Sequence, residues 1–187
     1  VVLRWEAAYG HAHRAERTGL SPGEWQHILA GAIQDDLHNL AEVADRVRFA
    51  FEEAVVPDDD AARVLAQPYA RPILSSFAGG IVAVEPFDAT TLDAWISDLR
   101  LRFKRRLGIR SRDVMYVLRA ALTGQMHGPC LVVVCQLLGP GRCVERARSA
   151  LAHGGCDEQR SSGHLTRRVP GQTRQALNPR MSSFEKI

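Results

Sequence analysis

The sequence predicts an all-α fold, a helical bundle, and three features carry that prediction. Apolar residues recur every three or four positions along most of the chain, which is the period of one helix face. Capping residues punctuate the pattern, with Ser-Pro and Asp ahead of the apolar stripes and Gly behind them. Strands are not needed anywhere to account for the remaining segments.

The first stripe runs through Leu29, Ile33, Leu37, Leu40, Ala44, Val47 and Phe51, one long helix or two consecutive ones. Ser21 is placed to cap it, with Pro22 in the first turn and Glu24 as the reciprocal capping partner. Pro57 ends the run, and Asp58-Asp59-Asp60 opens a short helix through Ala66. The apolar stretch Ile73–Val84 is interrupted by Gly79-Gly80, which leaves its type open. Thr90 and Thr91 offer hydroxyl caps for a helix whose stripe is Leu92, Trp95 (or Ile96), Leu99, Phe103 and Leu107, stopped by Gly108. Ser111 is a cap for the next helix, which carries Val114, Met115, Val117, Leu118, Ala121 and Leu122 and closes at Gly124. Gly128-Pro129 opens an apolar helix to Leu138, and Gly139-Pro140-Gly141 turns the chain into a last one ending near His153-Gly154-Gly155. Residues 156–187 lack apolar period and are rich in Ser, Arg, Gln, Gly and Pro, so a loose tail is expected. The expected division is a helical part over 1–88, a basic helical part over 89–154 and a flexible tail over 155–187.

At 187 residues, 45% hydrophobic and 24% charged, the chain holds one ordinary domain or two small ones. Its longest unbroken apolar stretch, Leu131–Cys135, is far shorter than the roughly 20 residues of a membrane span. No charged-then-apolar leader opens the sequence, and Val1 in place of Met is expected to mark a trimmed start or a fragment. A cytoplasmic location is the expectation. Cys130, Cys135, Cys143 and Cys156 form no Cys-x-x-Cys pair and are read as reduced and structural. His11 and His13, two apart on a helix, point to different faces, so no shared metal is expected. Asp58–Asp60 reads as a solvated linker rather than a metal or hydrolytic centre. No catalytic residue is assigned.

Charge is segregated along the chain. Residues 1–99 carry seven Arg against sixteen Asp and Glu, whereas residues 100–150 carry eleven Lys and Arg against Asp113 and Glu145. Such a basic block suits a polyanion, because neutralising phosphates releases condensed counterions. Attraction between two halves of one domain, or an Arg-rich solvated helix, accounts for it equally well. Lys104, Arg105 and Arg106 also complement the negative end of their own helix.

The most informative segment is Arg112–Gly141, with the skeleton Leu118-Arg119-Ala120-Ala121-Leu122-Thr123-Gly124, then Gly128-Pro129-x-Leu131 and Leu137-Leu138-Gly139. It resembles the C-terminal anticodon-binding region of bacterial-type glutamyl-tRNA synthetases. The resemblance spans about residues 2–152, through Trp5-x-x-Ala, the Trp25–Phe51 stretch and the Asp58–Asp60 linker, and is most specific over Leu118–Gly139. It departs from the family at Val117, where a Pro is frequent, and at Cys130, where an acidic or small residue is.

The resemblance implies the helical anticodon-binding half of a class I aminoacyl-tRNA synthetase. It implies that Arg119 and Leu131 meet the third anticodon base; Thr123, Gly124, Gly128 and Pro129 are expected beside them as anticodon-binding residues, the two glycines letting backbone approach the RNA and Pro129 stiffening the turn. Lys104, Arg105, Arg106, Arg110 and Arg112 are then the expected contacts to phosphates. A guanidinium on a rigid helix can form a bidentate hydrogen bond to a base edge or stack on its plane, and loop bases are unstacked and open to reading. The competing reading pairs Arg119 with an acidic residue and makes Gly124 a simple helix stop.

The expected partner is tRNA, in particular a glutamate tRNA, and neither DNA nor a membrane. The catalytic half of a synthetase is a further expected partner, and the chain is expected to be a monomer. ATP and Mg belong to the parent enzyme, which attaches glutamate to tRNA, and no cofactor is expected for this chain. The nucleotide-binding signatures of that half are not matched by Gly10-His11-Ala12-His13 or by Arg180-Met181-Ser182-Ser183. The alternative is a free-standing, non-catalytic paralogue that binds tRNA or a synthetase.

Overall fold

A computed structural model describes residues 18–34 and 42–153. Seven α-helices and one short 3-10 turn make up these residues, with no strand among them. Trp5, His11, His13, Leu37, Leu40, Cys156, the Arg180–Ser183 segment and the expected tail lie outside the described residues.

Helix α1 (Pro22–Gln34) starts with the reciprocal box expected from Ser21 and Glu24. The Glu24 carboxylate accepts from the Ser21 N–H at 2.9 Å and from its hydroxyl at 2.6 Å, while the Glu24 N–H donates to Ser21 Oγ at 3.3 Å. The buried face of α1 is Trp25, Leu29 and Ile33. Helix α2 (Val43–Phe51) ends at Glu52, where the chain turns extended. Helix α3 (Asp59–Leu65) is capped by Asp58, which accepts from the Ala61 N–H at 2.7 Å. Helix α4 (Ala70–Gly80) runs through Gly79 and ends on Gly80, followed by the 3-10 turn Ile81–Ala83, so Gly79-Gly80 is helix rather than a break. The reason is packing: a Cβ on Gly80 would lie 2.8 Å from Trp95 Cζ2, and the bare backbone lets that ring close over the helix.

Helix α5 (Ala89–Leu107) differs from expectation at both ends. Its cap is Asp88, whose carboxylate accepts from the Thr91 N–H at 2.8 Å, and not Thr90 or Thr91. Leu107 is 58% exposed rather than in the core, because the stripe closes one turn earlier at Phe103. Ile96 fills the core position, and Trp95 lies half-buried against Phe77 at a ring separation of 5.6 Å. Gly108 stops the helix in a left-handed conformation, φ 65°. Helix α6 (Ser111–Thr123) begins one residue after Arg110, its N-cap; Ser111 is helical and no side chain caps this end. Helix α7 (Leu131–His153) consists of two arms joined at Gly139, where φ 73° and ψ 165° leave the helix just before Pro140.

Trp25 ties the first helix to the last. Its indole N–H donates to the Leu137 carbonyl at 3.0 Å inside the core, and its ring meets Phe51 edge-on at 5.5 Å. Buried residues from all of α1, α2, α4, α5, α6 and α7 join in one hydrophobic cluster that runs across the sequence position 88/89. Cys135 and Cys143 are free and buried on either side of the α7 break, and Cys130 is free and exposed. The Cys143 hydrogen bond first and burial second push the Cys135 thiol well above its ordinary value, which leaves it unreactive. No described helix is long and apolar enough to cross a membrane.

The caps set an acid limit. Hydrogen bonds from Ser21 hold Glu24 below its ordinary 4.5, and those from Thr91 hold Asp88 below 3.8. Both carboxylates bind protons less readily folded than unfolded, so their contribution is full above those values and is lost as pH falls through the depressed ones. Thermal melts of Glu24→Gln/Asp88→Asn over an acid series should show a shallower fall than wild type. Parallel curves would contradict this.

Candidate nucleic-acid interface

Helix α6 carries the informative motif, and its two faces differ sharply. Val114, Val117, Leu118, Ala121 and Leu122 are buried, as their three- and four-residue spacing dictates. Arg112, Tyr116 and Arg119 follow one another at i, i+4 and i+7 on the opposite side. Arg112 and Arg119 are therefore separated by about 10 Å along the helix axis.

Arg119 is partly exposed, and its buried Nε has no hydrogen-bond partner. The ion pairs among the described residues join Arg48 to Glu52, Arg63 to Asp60, Arg102 to Asp98 and Arg110 to Asp113, and leave Arg119 out. No described carboxylate neutralises it. Arg112 lies over the Tyr116 ring with its Cζ 5.9 Å from the centroid, and the Tyr116 and His127 rings meet edge-to-face at 6.4 Å and 71°.

The turn after α6 is fixed rather than free. Thr123 Oγ donates to the Arg119 carbonyl at 2.9 Å and accepts from the Gln125 N–H at 3.3 Å, which closes the helix end. Gly124 adopts φ 76°, and a Cβ there would lie 2.5 Å from Val55 Cγ1 and 2.8 Å from the Val56 carbonyl oxygen. The Gly124 carbonyl accepts from the Asp58 N–H at 2.9 Å, so the turn is tied to the start of α3. Gly124 thus does more than stop a helix: it lets two backbones touch. Gly128, at φ 133°, faces open space, and Pro129 is buried.

Leu131 is fully buried in the core, so its side chain offers no apolar surface to a base in this structure. The first turn of an apolar helix is drawn inward, and a base contact is not available there without exposing it. Lys104, Arg105, Arg106 and Arg112 are exposed. Arg110 differs: its guanidinium is held two-pronged by Asp113, at 2.8 and 3.3 Å, which raises its pKa and half-neutralises it as a phosphate contact.

Two further members of the basic block are structural. Arg146 is 3% exposed and donates to the carbonyls of Leu122 at 2.5 Å, Phe49 at 2.7 Å and Glu52. Arg142 donates to the carbonyls of Ala50 at 3.1 Å and of Glu52. Sequence reasoning missed this pair. The available signal is that Arg146 sits between Cys143, Val144 and Ala147, on the apolar side of its helix. Among the described residues no group of His, Cys, Asp and Glu is arranged to hold a metal ion.

An all-α core that presents a guanidinium unpaired among the described residues, a partly exposed ring pair and exposed cations on two consecutive helices has the features of the nucleic-acid-binding class. Comparison with known proteins gives the family. The model described as anticodon binding domain matches residues 10–151, and the chain belongs to that family. The chain is 32% identical over 128 residues to a glutamate–tRNA ligase of Geobacillus thermodenitrificans, covering 68% of this chain and 25% of that protein. Against the Geobacillus stearothermophilus glutamate–tRNA ligase it is 31% identical over the same length, with the same coverage. It thus spans about a quarter of the curated relatives it matches. A solved glutamate tRNA ligase from Elizabethkingia meningosepticum, in complex with its amino acid, shares the fold at a TM-score of 0.64 and 17% identity, over 80% of this chain and 27% of that one.

Proposed function

We propose that this chain is the anticodon-reading part of a glutamyl-tRNA synthetase-like protein and acts as a monomer on a glutamate tRNA. The observation that carries the reading is Arg119, a partly exposed guanidinium on a rigid helix that no carboxylate among the described residues pairs. An anionic or acceptor-rich ligand completes that group, and a loop base edge beside its phosphates supplies both. Lys104, Arg105, Arg106 and Arg112 act on phosphates, where they position the RNA without reading it. In the parent protein the reaction is ATP-dependent attachment of glutamate to tRNA. ATP and Mg serve the catalytic half of that parent in this reading, and this chain contributes discrimination among tRNAs.

Titration of the purified chain with a glutamate tRNA, beside a pull-down with synthetase catalytic domains, tests the reading. Binding that depends on the anticodon supports it. Capture of a catalytic domain without any anticodon preference supports the free-standing paralogue in its place. Arg105→Ala should weaken all tRNAs alike and reduce the slope of log affinity against log salt by about 0.7–0.9. An unchanged slope removes Arg105 from the phosphate contacts.

A further inference from the structure

We propose that Tyr116 and His127 form a stacking platform for one unpaired base of the RNA loop, with Arg112 and Arg119 on either side of it. The proposal rests on the tRNA reading above and adds to it two rings that the motif residues do not include. Among the described ring pairs, Trp25–Phe51 and Phe77–Trp95 belong to the core or its margin. Tyr116–His127 is outside that cluster, with His127 exposed and Tyr116 partly so.

The arrangement has the parts that base stacking needs. Arg112 lies over one face of the Tyr116 ring and Arg119 follows one turn further along α6, so two cations accompany the ring pair. A base laid on such a surface keeps its phosphates within reach of both. The two rings come from different segments, a helix and the following turn. The contacts of Gly124 with Val55, Val56 and the Asp58 N–H anchor that turn at its first residue. Stacking accepts any base, which complements an adjacent guanidinium that selects one.

The test uses a hairpin RNA with the anticodon arm of a glutamate tRNA and a fluorescent adenine analogue at one loop position at a time. The full chain should quench one position far more than the others. Tyr116→Ala should weaken binding about five- to a hundred-fold and abolish that quenching. His127→Ala should weaken binding and lessen quenching at the same position, and Tyr116→Phe, which keeps the ring, should stay within about twofold of wild type. If the wild type binds the hairpin and folded Tyr116→Ala and His127→Ala bind and quench alike, the platform is wrong while the tRNA reading stands. If Tyr116→Ala does not fold, His127→Ala, at an exposed turn position, decides alone. If the wild type binds no hairpin, the tRNA reading fails and the platform with it.

Discussion

Replacing Arg146 with alanine is expected to lower the unfolding free energy by about 3–5 kcal/mol. The side chain is buried where the C-terminal ends of α2 and α6 converge, and it serves carbonyls of both, from Phe49 and Glu52 on one side and Leu122 on the other. Helix ends leave their last carbonyls without partners inside the helix, and their partial negative charge accumulates there. One forked cation answers two such ends at once. Burial first, and the charge of Arg142 second, bring the Arg146 pKa down to about 10, the mark of a cation stripped of water and held by carbonyls instead. Alanine would strand the buried Leu122 and Phe49 carbonyls and leave that of Glu52 to Arg142 alone. Lysine keeps the charge but cannot fork to three oxygens, so an intermediate loss is expected. Urea denaturation checks both: the midpoint falls with the slope unchanged. A loss under about 1 kcal/mol for the alanine variant would contradict the assigned role.

Gly124→Ala should destabilise the chain by about 2–4 kcal/mol. Part is the left-handed backbone, about 1–2 kcal/mol for a residue with a Cβ. The rest is collision, because the new methyl meets the Val56 carbonyl oxygen at 2.8 Å and Val55 Cγ1 at 2.5 Å. Gly108 separates the two contributions. It has the same handedness, φ 65°, with nothing within 4 Å of its would-be Cβ, so Gly108→Ala should lose the backbone part alone. Equal losses at the two glycines would show that the turn is not pinned by the α2–α3 connection. Gly124→Ala should also weaken RNA binding in protein that remains folded, since it displaces the turn that carries His127.

What was legible in the sequence was whatever depends on near neighbours along the chain. The Ser21–Glu24 box, the Asp58 cap, the stops at Gly108 and Gly124 and the break at Gly139 need a few adjacent residues, and each lies where its local chemistry puts it. One error is local, and the others arose where tertiary contact chooses between local options. Asp88 displaces Thr90 as cap because a carboxylate is the stronger acceptor and lies at the right offset. Ile96 rather than Trp95 enters the core because Trp95 is claimed by Phe77 and by the bare Gly80. The candidate site divides the same way. Arg119 is named by its motif, but its lack of a carboxylate partner among the described residues, the burial of Leu131 and the pairing of Arg110 with Asp113 are properties of the folded chain. Charge counting includes Arg146 in the basic block of residues 100–150, but it is a core residue.

The proposed function stands on base reading by the Arg119 guanidinium. The most direct measurement is filter binding of wild type and Arg119→Ala to a glutamate tRNA and to tRNAs changed at one anticodon position at a time. The variant should lose about 1–3 kcal/mol against the matched tRNA and little against one mismatched tRNA, so that selectivity at that position disappears. Equal affinity and undiminished selectivity in the variant would contradict it.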